Sequence, residues 1–89
     1  MKKYPVKNPD IVARKEEKEA LLFNPSDGSL MCINGTGILV WDMSDGTSEI
    51  SDIISRITQG YDVAAERAQV DCVTYLDDLE KAGFITYRI

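Results

Sequence analysis

Eighty-nine residues suffice for one domain, and at that size the core is thin, with about 60–65% of the unfolded surface buried. Fifteen carboxylates against ten cationic side chains leave a net charge of −5, which opposes binding to nucleic-acid phosphates. Histidine is absent, so the usual zinc sites lack ligands, and apolar runs stop at four residues, far short of the roughly 20 a membrane-spanning helix needs.

Residues 1–10 carry two prolines and three lysines and read as a flexible N-terminal arm. Its basic start precedes no hydrophobic segment, so no secretion signal is expected. Residues 11–89 form the single domain. Within it, Ile11–Glu16 alternates partly, and a charged turn at Glu17-Lys18 leads into Glu19–Asn24. Pro25-Ser26-Asp27-Gly28 supplies the dihedrals of a reverse turn. Leu30–Ile33 follows as a third short strand. Two tight connections make an antiparallel meander with Glu19–Asn24 in the centre.

Asn34 is placed to cap a helix opened by Gly35-Thr36-Gly37 and carrying Ile38 to Trp41 and Met43. That helix is apolar nearly all round, as a buried one should be. Asp45-Gly46 ends it. Thr47 or Ser48 caps a second helix, whose Ile50, Ile53, Ile54 and Ile57 fit the i, i+3, i+4, i+7 pattern. The third and longest helix is expected from Asp62 to about Ala82, with Gly83 as its C-terminal stop. Ala65, Ala68, Cys72, Leu76 and Leu79 form its core stripe, with Tyr75 on the shoulder. Phe84–Ile89 alternates as a short C-terminal strand or extended tail. Helices set apart from an antiparallel sheet define an α+β fold, three strands followed by three helices.

Chemistry finds little support. The glycines of Asn34-Gly35-Thr36-Gly37 match neither a dinucleotide fingerprint nor a phosphate loop, and they read as a tight strand-to-helix junction. Cys32 and Cys72 form no C-x-x-C pair and are expected buried and reduced, which points to the cytoplasm. Neither has an obvious activating partner, and no enzyme, metal or cofactor is expected. A winged-helix reading would make residues 62–82 the DNA-reading helix. That segment carries six carboxylates against two cations and repels a phosphate backbone.

The strand Leu30–Ile33 is more informative. Its side chains alternate between two faces, and both faces are apolar. It ends the meander, yet residues 30–33 include no lysine, proline or other guard of a sheet edge. Two readings stand: the C-terminal tail or a helix covers the edge, or an extended peptide adds to it as a further strand. Beside it, Val63, Val70, Thr74 and Arg67 lie off the core stripe of the third helix and can wall a groove.

The order of these elements resembles the PqqD-like family. The resemblance spans roughly residues 11–85. Its specific pieces are Asn34-x-Thr36-Gly37 running into Trp41, the Asp45-Gly46 turn before an isoleucine-rich helix, and Leu76-x-x-Leu79 ahead of Gly83-Phe84-Ile85. Cys72 stands where the family is usually aliphatic, a conservative change for a core. The resemblance implies a winged-helix-like fold that binds the leader segment of a ribosomally made precursor peptide. It further implies that the leader adds antiparallel to the third strand, in a cleft shared with the third helix. There it is presented to a modifying enzyme, often a radical S-adenosylmethionine enzyme.

The expected peptide-binding residues are Leu30, Met31, Cys32 and Ile33 on the strand and Arg67, Val70, Asp71 and Thr74 on the helix. In this reading Met31 and Ile33 or their neighbours contact apolar leader side chains, and Arg67 meets an acidic one. Expected partners are the precursor peptide and the modifying enzyme, with no nucleic acid and no membrane. The alternative is a structural or regulatory subunit that binds a partner protein, or itself, through the same edge.

Overall fold

Two turns set the sheet. Across the first, the Glu16 N–H donates to the Glu19 carbonyl at 2.8 Å; across the second, the Gly28 N–H donates to the Asn24 carbonyl at 2.8 Å. Gly28 lies at φ 77, where a side chain would be strained. The computed structural model describes residues 3–89. Its elements are β1 (Tyr4–Lys7), β2 (Val12–Lys15), β3 (Glu19–Asn24), β4 (Ser29–Asn34), α1 (Gly35–Asp42), α2 (Ile50–Gly60), α3 (Ala65–Lys81) and β5 (Ile85–Arg88).

β2, β3 and β4 form the expected antiparallel meander in that order, with β3 from Glu19 to Asn24 in register against Asn34 to Ser29 of β4. Ala20 and Leu22 of β3 and Ile33 of β4 are buried on the inner face. They meet Val40 and Trp41 of α1, Ile53 and Ile57 of α2, and Cys72, Leu76 and Leu79 of α3 in one core. The α+β, winged-helix-like arrangement therefore stands. Among the described residues, no helix is long and apolar enough to cross a membrane.

α1 begins after Asn34, whose side chain caps no helical N–H. Its Oδ1 instead accepts the Tyr75 hydroxyl at 3.0 Å, so a partner from α3 replaces the expected cap. α2 starts later than Thr47 or Ser48 predicts. Thr47 is taken up by Asp45, whose Oδ1 accepts both its N–H (2.9 Å) and its hydroxyl (2.8 Å). Glu49 and Asp52 form a capping box in its place. α3 starts three residues after Asp62, at Ala65, and Ala65 itself is exposed. It ends as expected at Gly83: the Phe84 N–H bonds the Leu79 carbonyl and the Gly83 N–H that of Glu80, a Schellman closure that seats the buried Phe84.

The flexible arm is corrected over residues 4–7. Tyr4–Lys7 pairs antiparallel with Ile85–Arg88 as a separate two-stranded sheet. Further bonds run from the Lys7 N–H to Ser44, the Asn8 N–H to Phe84 and the Gly46 N–H to Pro5 (each 2.9 Å). Proline is tolerated in β1 because a two-stranded ribbon has only edges. The part of the arm at residues 1 and 2 lies outside the described residues.

The bonds from Thr47, its backbone N–H foremost, hold the Asp45 carboxyl below its usual value of 3.8. A carboxyl depressed in the folded state contributes stability fully present above 3.8 and lost as pH falls through its lower folded value. Asp45→Asn is therefore expected to unfold at lower urea concentration than the native chain at pH 6. That gap should close in buffers well below pH 3.8. A gap that stays constant through the acid range would refute the charge's role.

Candidate functional site

The free edge of β4 follows from the hydrogen-bond parity of the sheet. Backbone groups of successive residues in an antiparallel ladder point to alternate sides. The Glu16–Glu19 bond commits Glu19, and with it Leu21 and Phe23, to β2. Ala20, Leu22 and Asn24 consequently direct their N–H and C=O groups at β4, where they face Ile33, Met31 and Ser29. Leu30 and Cys32 are left with backbone groups pointing away from the sheet. β4 has β3 on one side and, among the described residues, no strand on the other. The C-terminal strand pairs with β1 and does not cover this edge.

β2 borders the opposite side of the meander, and it is guarded. Lys15 is paired with the buried Ala20, so its side chain leaves from the inner face, and it bonds the Asp42 carboxylate at 2.8 Å. An inward-pointing charge next to Arg14 blunts that edge. β4 carries no such guard.

Side-chain parity divides the four strand residues predicted for the site. Ile33 is buried and Met31 half-buried, both on the core side, so Ile33 has no side-chain surface to offer a ligand. Leu30 and Cys32 face outward and are exposed, which corrects the expectation that Cys32 is buried. The Cys32 thiol donates to Glu19 Oε2 at 3.1 Å, and this bond, with the carboxylate's charge, pushes the thiol above its ordinary range. Cys72, fully buried, is pushed up to about 11 by desolvation. Both thiols stay protonated near neutrality, and neither is an activated nucleophile. Among the described residues no cluster of three ligand side chains could hold a metal.

The helical wall is organised around Tyr75. Its ring packs against Gly37, where an added Cβ would lie 2.6 Å from Tyr75 Cε1 and 3.1 Å from the Ile33 Cβ. Its hydroxyl closes on Asn34, so α3 meets β4 at the strand's last residue and limits an added strand to the stretch before it. Partial burial, aided by the Asp71 carboxylate and the Cys32 thiol, raises the Tyr75 phenol. One turn back lies Asp71, paired with Arg67 Nε at 3.2 Å. Residues four apart share a helix face, so Arg67 and Asp71 continue the row that Tyr75 begins. Their pair is largely exposed, worth about 0–1 kcal/mol, and Arg67 can exchange partners readily.

Val70 does not join that row. It lies two positions from both buried Ala68 and buried Cys72, hence on the helix's opposite side. With Glu66, Gln69, Val73 and Thr74 it lines a shallow depression on the outside of α3. Of the four helix residues predicted for the site, Asp71 lies one turn from Tyr75 and holds the exposed Arg67, while Val70 and Thr74 line the outer depression. Tyr75 and Asn34 are the residues sequence reasoning did not assign to the site. The shoulder position of Tyr75 on the apolar stripe was the available signal.

Two solved structures share this fold. A chain described as TbiB1 in complex with the TbiA(beta) leader peptide superposes with a TM-score of 0.79 at 16% identity, covering 90% of this chain and 93% of its own. A lasso peptide synthetase B1 complexed with the leader peptide superposes at 0.77 and 21% identity, covering 93% and 98%. No curated protein matches in sequence. Residues 19–85, which hold the meander from β3 onward and all three helices, match the family described as coenzyme PQQ synthesis protein D, and the chain belongs to that PqqD family.

Proposed function

We propose that the chain is a non-enzymatic adaptor. It binds the leader segment of a ribosomally made precursor peptide by strand addition at β4 and presents it to a modifying enzyme, of the radical S-adenosylmethionine type. The observation that carries this reading is the free β4 edge, with the N–H and C=O groups of Leu30 and Cys32 turned outward. An antiparallel peptide pairing with both residues gains four backbone bonds, and side chains on alternate positions then set specificity. Leader complexes of the two structurally similar chains support the same use of the fold. Arg67, beside the site, offers a charge partner for an acidic leader residue.

Titration of an isotope-labelled chain with a synthetic leader peptide tests the proposal. Amide shifts are expected at residues 30–33 and along the Arg67–Tyr75 face of α3. Shifts confined to other surfaces would reject this geometry. A stable homodimer that forms through residues 30–33 and excludes the peptide would favour a subunit binding itself.

A further inference from the structure

The outer face of the meander holds an apolar row that backbone pairing does not use. By register, Val12 lies opposite Phe23, and Phe23 opposite Leu30. All three are exposed, at 57%, 38% and 64%. The next row, Arg14–Leu21–Cys32, is mixed, and beyond it Glu19 lies opposite Asn34. The apolar side chains thus gather at the Pro25–Gly28 end and run out to the free edge, where Leu30 is the most exposed of the row.

Three side chains fall far below the roughly 800 Å² per partner that a stable protein interface buries, so neither a second copy nor a globular partner fits this row by itself. An added strand does. Residues directly opposite in an antiparallel pair place their side chains on the same face, with Cβ atoms about 4.5–5.5 Å apart. A peptide residue paired with Leu30 therefore stands beside it as the fourth member of the row.

We infer that Leu30, backed along the row by Phe23 and then Val12, forms a specificity subsite that selects a bulky apolar side chain at the peptide position opposite Leu30. The inference rests on the strand-addition reading and adds to it the chemical class of one peptide residue. The position opposite Cys32, two residues away along the peptide, faces the Cys32–Glu19 bond and Leu21. It accepts polar side chains. Recognition on the outer face is distinct from contacts on the side of Arg67, Asp71 and Tyr75.

The test pans a phage library of random 12-residue peptides against the native chain and against Leu30→Lys. Selected peptides are then titrated against both labelled proteins. Natively selected peptides should share an apolar residue at one fixed position of an extended segment. They should bind Leu30→Lys about tenfold more weakly while still shifting the amides of residues 30–33. The Leu30→Lys pool should carry aspartate or glutamate at that same position. Two pools with the same residues there, both shifting residues 30–33, would overturn the subsite and leave strand addition standing. Selected peptides that shift amides elsewhere, or no enriched peptide at all, would overturn both.

Discussion

Cys32→Pro is expected to leave the protein folded and to weaken peptide binding by roughly ten- to a hundredfold, about 1.4–2.7 kcal/mol. The contrast with its neighbour makes the experiment sharp. The Cys32 N–H points away from the sheet, so removing it breaks no bond to β3. Proline is accommodated at a strand position whose N–H faces outward. The same ring removes a donor from the arriving strand and stands in its path. Only the exposed bond to Glu19 is lost within the chain. Met31→Pro reverses the outcome: it removes a ladder bond to Leu22 and leaves a carbonyl in the sheet without its donor, at about 1–3 kcal/mol of stability. Urea unfolding and calorimetric titration with peptides selected against the native chain measure both effects. If Met31→Pro is the tolerated substitution, the outward-facing groups belong to the other residues and the proposed pairing is wrong.

Gly37→Ala is expected to destabilise the fold by about 1–3 kcal/mol, the usual range for forcing extra volume into packed surroundings. The new methyl would sit 2.6 Å from Tyr75 Cε1, 2.8 Å from Cζ and 3.1 Å from the Ile33 Cβ. Ile33 is held in the sheet core, so the ring must give way, and its hydroxyl then leaves Asn34. At about 4–8 °C per kcal/mol for a domain of this size, the melting temperature should fall measurably. Combining Gly37→Ala with Tyr75→Ala removes the clash, so the pair should cost less than the sum of the two single changes. Strict additivity would mean that Tyr75 is not what Gly37 accommodates. Because Tyr75 marks the end of the β4 edge, the single change is also expected to alter peptide affinity.

The sequence displayed its local order well and its long-range pairings poorly. Turn residues at Glu17-Lys18 and Pro25–Gly28 placed the meander, and the isoleucine spacing placed α2. The stripe Ala68, Cys72, Leu76 and Leu79 is the buried face of α3. β1 escaped because its partner lies about 80 residues away, and nothing in Tyr4–Lys7 signals Ile85–Arg88. The facing of β4 was equally hidden, since Leu30 to Ile33 are all apolar and Leu21 to Phe23 opposite them are too. Burial of Ala20 and Leu22 fixes the parity, and that depends on the helices beneath. The capping role expected of Asn34 failed for a related reason: a distant tyrosine competed for the same oxygen.

The pairing of Tyr4 with Arg88 sets how the molecule yields to force. Tension applied across Tyr4 and Arg88 pulls neighbouring antiparallel strands directly apart, so their bonds open one pair at a time like a zipper instead of resisting together in shear.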